Sequence, residues 1–101
     1  MINLPLDQEE KLIWQQQRSD VNGILRQFWN PIGIDFQQLP IDEYEDYAEN
    51  LVTMFRNRED KNAIQNYLVW ASKINMNCPV SNSVTTDVVQ RLLALKIGVQ
   101  A

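Results

Sequence analysis

The sequence predicts an all-α fold, a compact bundle of four to five helices in a single domain covering residues 1–101. Three observations predict it. The stripe Tyr44, Tyr47, Ala48, Leu51, Val52, Phe55 follows helical spacing without a miss. Polar residues suited to cap helices stand before the apolar-periodic segments at Asp42 and Asp60. No stretch alternates apolar and polar with period two for long enough to argue a strand. With 101 residues, 45% hydrophobic and 22% charged, the chain can bury one modest core without metal or disulfide support.

The first helical signal follows Asp7, which can cap the segment QEEKLIWQQQ, where Leu12, Ile13 and Trp14 give a narrow apolar patch. A second begins near Ser19 and Asp20, with Val21, Ile24, Leu25 and Phe28 at helical spacing and Trp29 one place further. Two helices or one bent helix satisfy this pattern equally. Pro31 pushes Asn30 away from the α region, so the helix should end near Trp29, and Gly33 supplies a backbone angle other residues resist. Phe28, Trp29, Ile32 and Ile34 should bury this corner in the core.

After the connector DFQQLPI, Asp42 and Glu45 match a capping box for the helix carrying the stripe from Tyr44 to Phe55. Its opposite face carries Glu43, Asp46, Glu49, Asn50 and Thr53, a solvated polar surface. Asp60 can cap a helix presenting Ile64, Tyr67, Leu68, Ala71 and Ile74, with Val69 and Trp70 broadening that face. Residues 75–83 read as a loop, and Pro79 bars helix continuation. A final helix from about Ser83 presents Val84, Val88, Leu92 and Leu95, and Gly98 suits the left-handed position after it. Among the tryptophans, Trp14 lies on the weakest stripe and should be the most exposed.

Catalytic constellations are missing. The chain has no histidine, which removes Ser/His, Cys/His and His-metal sites, and Cys78 has no evident base. The carboxylates of DEYEDYAE lack the spaced ligands and glycine of a calcium loop, so no metal, cofactor or enzymatic activity is expected. A lone cysteine excludes an internal disulfide and fits a reducing compartment, so a cytoplasmic location is expected. The segment MINLPLDQEE resembles no secretion signal, and no apolar run approaches a bilayer span.

Charge narrows the partner. Net charge is -4, yet Asp35, Asp42, Glu43, Glu45, Asp46 and Glu49 all fall between Arg26 and Arg56, where there is no lysine or arginine. Such a segment repels phosphate and attracts basic surfaces, so a basic protein is expected rather than DNA or RNA, and without an apolar run of bilayer length no membrane is expected either. Asp42, Glu43, Glu45, Asp46 and Glu49, with Tyr44 and Tyr47 beside them, are the candidate contacts. The register of both tyrosines favours a core or half-core position with hydroxyls able to reach the surface.

The order WNPIGI at 29–34, DEYEDY at 42–47, NYL at 66–68 and INM at 74–76 resembles a family of small bacterial all-helical proteins. In that family a W-[DN]-P-[IL]-G-[IV] corner precedes a D-E-Y helix, and several members look like immunity proteins of contact-dependent or polymorphic toxin systems. The resemblance covers roughly residues 21–78; the N-terminal helix signal and the C-terminal helix depart from the pattern. It carries over Trp29, Pro31, Gly33, Asp42, Glu43 and Tyr44 as motif positions and implies a toxin-neutralising binder; the pure protein is expected to be monomeric or weakly dimeric. A small interaction or regulatory module, or an enzyme subunit completed by another chain, are the alternatives, and a toxin reading frame beside the gene would separate them.

Overall fold

Four α-helices make up the fold in a computed structural model that describes residues 4–35 and 37–98, with side chains from residue 8 onward. They are α1 (Leu4–Ile24), α2 (Glu45–Arg56), α3 (Lys61–Trp70) and α4 (Asn82–Leu93), and no strand occurs among the described residues. Two of the helices end in a wider π turn: α1 continues through Leu25–Trp29 and α3 through Ala71–Asn75. The expected all-helical bundle is therefore present. α1 packs against α2, α3 against α4, and the first π turn closes onto α4.

α1 resolves the open question at the N-terminus, because a single helix runs from Leu4 through Ser19 and Asp20. Asp7 lies inside it and is not its cap. Ser19 and Asp20 are exposed, and Gln16 Nε2 donates to Asp20 Oδ1 (2.8 Å) along the helix surface, so neither starts a new helix. Trp14 is half-buried, with the Arg56 guanidinium 5.0 Å from its ring centre. The most exposed tryptophan is instead Trp70, at 46%.

Both π turns shift the apolar register. The Asn30 amide donates to the Leu25 carbonyl (2.8 Å) and the Met76 amide to the Ala71 carbonyl (3.0 Å), each spanning five residues. One extra residue per turn carries the inward position past the place that a 3.6-residue period assigns it. Trp29 therefore takes the buried place and Phe28 is exposed, with the Arg91 guanidinium stacked 3.7 Å over its ring. Likewise Met76 packs on the core, while Ile74 is 65% exposed.

The corner after Trp29 is held by polar groups more than by apolar burial. Ile32 and Ile34 are exposed, contrary to the buried corner expected of them. Asn30 adopts the left-handed region (φ 33°), not the extended region its proline neighbour favours, and Gly33 is also left-handed (φ 81°). Asparagine tolerates this conformation because its side chain bonds locally. Its Oδ1 accepts from the Tyr44 hydroxyl (2.8 Å), its Nδ2 donates to the Ile34 carbonyl (2.6 Å), and the Ile32 amide donates to the same Tyr44 hydroxyl (3.1 Å).

α2 begins at Glu45, and no side chain caps it. The expected Asp42–Glu45 capping box does not form. Residues 41–44 make a turn in which the Asp42 carbonyl accepts from the Glu45 amide (3.2 Å), and the Glu45 carboxylate is drawn to Arg18 instead. The stripe itself is inward as expected: Tyr44, Ala48, Leu51, Val52 and Phe55 are buried and Tyr47 is half-buried against them. Asp60 does cap α3, its Oδ1 accepting from the Ala63 amide (2.9 Å).

α4 is capped by Ser81, whose hydroxyl accepts from the Val84 amide (3.3 Å). Its buried stripe is Thr85, Val88, Val89 and Leu92, with Val84 exposed and Leu95 only half-buried. Thr85 can enter the core because its hydroxyl donates to the Ser81 carbonyl (3.0 Å). Gly98 is left-handed as expected (φ 79°) but lies beyond the helix and is not its cap, since α4 ends at Leu93 and Lys96 takes the first left-handed turn (φ 56°). Close approach also fixes glycine there, because a Cβ would run into the Phe55 carbonyl oxygen.

Candidate protein-binding groove

A groove of about 370 Å³ opens where the N-terminal turn of α2, the outer face of α3, its π turn and the corner after Trp29 meet. Its walls include Ile32, Tyr47, Tyr67, Trp70 and Met76, and Glu43 and Asp46 stand at its acidic edge. A row of rings runs from the core to this groove. Trp29 meets Tyr44 and Tyr47 edge-on at 5.4 and 5.7 Å, Tyr47 reaches Tyr67 at 6.4 Å, and Tyr67 stacks on Trp70 at 5.9 Å and 29°.

Asparagines fix the middle of the row. Asn75 Nδ2 donates to the Tyr47 hydroxyl (2.5 Å), and Asn50 Nδ2 donates to the Tyr67 hydroxyl (3.0 Å). Each amide thus leaves its Oδ1 as an acceptor beside the groove. Burial raises the Tyr44 hydroxyl above its ordinary pKa of 10.0, against the lowering effect of the Ile32 amide. Burial likewise raises Tyr67, partly offset by Asn50. Both phenols remain neutral at physiological pH and act as hydrogen-bonding groups, not as bases.

The structure divides the acidic helix face in two. Arg18 of α1 lies 3.5 Å from both Glu45 and Glu49, so these two carboxylates are compensated from a neighbouring helix. Sequence order hid this cation, because Arg18 lies outside the lysine- and arginine-free segment. Glu43, in the turn before α2, and Asp46, in its first turn, are exposed, line the groove and form no salt bridge among the described residues. Asp42 is exposed in the turn before α2 and does not line the groove. Tyr44 and Tyr47 both line the groove, but Tyr44 is fully buried with its hydroxyl committed to the corner, whereas Tyr47 is only half-buried.

Pieces far apart in sequence converge here. Ile32 belongs to WNPIGI; Glu43, Tyr44, Asp46 and Tyr47 to DEYEDY; Tyr67 to NYL; Asn75 and Met76 to INM. The Tyr44 hydroxyl, bound to Asn30 and Ile32, ties the first two pieces into one unit. Trp70 and Asn50 belong to none of these motifs and complete the site. Trp70 was legible as a helix-face residue, but its exposure was not.

A larger depression of about 530 Å³ lies at the other end of α2, between Phe55, Arg58, Glu59, Leu93 and Lys96. Its charges are mixed, with Arg58 and Lys96 beside Glu59, so it presents no consistent chemistry. Among the described residues, no cluster of His, Cys, Asp and Glu could hold a metal ion, and no helix is long and apolar enough to cross a membrane. Comparisons with family models, with characterised proteins and with solved structures find no match to this chain.

Proposed function

We propose that this chain acts by binding a basic protein, as an immunity protein that occludes a cognate toxin domain, and that the groove beside Glu43 and Asp46 is part of the contact surface. The observation that carries this reading is convergence: each motif piece on which the family resemblance rests gives a residue to that groove. Two uncompensated carboxylates beside an exposed tryptophan supply both elements that protein recognition uses. Exposed charge steers a basic partner and raises the association rate, and the aromatic ring supplies an anchor whose burial slows dissociation. A nuclease toxin fits this charge pattern, because a cleft that holds nucleic acid is basic.

Growth protection tests the reading. The reading frame beside this gene is expressed in a susceptible bacterium with and without the protein, and survivors are counted. Protection together with a one-to-one complex of the purified proteins is the expected result. A neighbouring reading frame without toxicity, or toxicity undiminished by the protein, would exclude the immunity role.

A further inference from the structure

We infer that the groove is a receptor for one arginine side chain of the partner, its guanidinium stacked on the exposed ring of Trp70 and hydrogen-bonded by Asp46 and Glu43. This rests on the groove being the partner-contact surface. Three observations specify the guest. Tyr67 stacks against Trp70 with ring centroids 5.9 Å apart at 29°, yet 46% of Trp70 stays exposed, so ring surface remains for a flat group. The groove edge is rich in acceptors: two carboxylates, with Asn50 and Asn75 turning their amide nitrogens onto tyrosine hydroxyls. Finally, no lysine or arginine lines it.

Arginine carries five N–H donors and no acceptor on a planar cation, so it matches both the acceptor edge and the flat wall. A lysine ammonium satisfies the charge but has no plane to stack. The chain's own arginines already make this contact elsewhere, Arg91 over Phe28 and Arg56 over Trp14. Among the described residues no arginine stands over Trp70, so that position is open to one from outside.

The test uses the full chain and blocked pentapeptides Gly-Gly-X-Gly-Gly, with X arginine, lysine or citrulline, titrated at low salt while the three indole N–H signals are followed by NMR. Arginine should shift the Trp70 signal saturably, lysine should bind roughly fivefold more weakly, and neutral citrulline should leave the signal in place. Trp70→Leu and, separately, Asp46→Asn should each weaken the arginine peptide by roughly fivefold, with the indole signals of Trp14 and Trp29 unmoved. Citrulline binding as well as arginine, lysine binding as tightly, or an equal shift at Trp14 would each overturn the inference. Growth protection is an independent readout: a chain that protects cells yet ignores the arginine peptide keeps its immunity role and loses this receptor, and the converse result does the opposite.

Discussion

The two ends of the ring row are built from the same kinds of residue and meet opposite surroundings. At the inner end, Trp29 is 2% exposed and Tyr44 is fully buried, with the Tyr44 hydroxyl spent on the corner at Asn30 and Ile32. At the outer end, Tyr67 and Trp70 stack on each other while Trp70 remains half open to solvent beside Asp46 and Glu43. Buried aromatic area stabilises the fold, and exposed aromatic area beside unpaired charge is available to a partner. The difference separates residues that make the protein fold from residues free to make it bind, within one continuous contact chain.

Truncation at the two ends should break the symmetry most. Trp29→Ala should cost about 3–5 kcal/mol, the range for emptying a large aromatic site in a core, whereas Trp70→Ala should cost less than about 1 kcal/mol. Urea denaturation of both variants measures this. Equal losses would mean that Trp70 is structural and that the row has no functional end.

The hydroxyls give the next largest contrast. Tyr44→Phe leaves the Ile32 amide and Asn30 Oδ1 without their shared partner and should cost about 1–3 kcal/mol, more than Tyr67→Phe, whose phenol is only half-buried. The pH dependence should follow. Both tyrosines have pKa values raised above 10.0, chiefly by burial, so the folded chain holds their protons more tightly than the unfolded chain does. Their contribution is complete below that value and is lost as pH rises from about 10 through the raised folded values. Unfolding midpoints at neutral and alkaline pH should show this decline, and Tyr44→Phe should flatten it. A midpoint that rises above pH 10 would contradict the sign.

Gly33 sharpens the inner end further. Beyond its chain neighbours no atom lies within 4 Å of a Cβ placed there, so Gly33→Val meets backbone strain at φ 81° without a clash at Cβ, and should cost about 1–3 kcal/mol. Thermal unfolding reads it. Stability equal to the parent would show that the corner relaxes freely, and that Asn30 and Tyr44 do not hold it.

The smallest effects on stability belong to the carboxylates, where the two sides of α2 should part company in binding. Glu43→Gln with Asp46→Asn should leave folding nearly unchanged and slow association with a basic partner, an effect that fades as salt shortens the screening length to about 8 Å and below. Glu45→Gln with Glu49→Gln should cost at most about 1 kcal/mol through the loss of Arg18 and have the weaker kinetic effect. Stopped-flow association at low and high salt distinguishes the pairs; equal slowing would return the contact to the whole acidic face.

By itself, the sequence determined the helical class, the stripe from Tyr44 to Phe55, the cap at Asp60, the end of the first helix near Trp29 and the need for glycine at position 33. These follow from local rules, since side-chain periodicity, N-terminal hydrogen bonding and permitted backbone angles are properties of neighbouring residues. Tertiary structure decided the rest. The π turns moved burial from Phe28 to Trp29 and from Ile74 to Met76, because one added residue rotates every later side chain and a fixed period does not contain it. Arg18 compensated Glu45 and Glu49 from another helix, so charge counted along the chain overstated the acidic face. The groove arises the same way: Ile32, Asp46, Tyr67 and Met76 are too far apart in sequence for any local rule to join them, and only the tertiary arrangement, in which Tyr47 and Asn50 of α2 reach Tyr67 of α3, brings their side chains to one place.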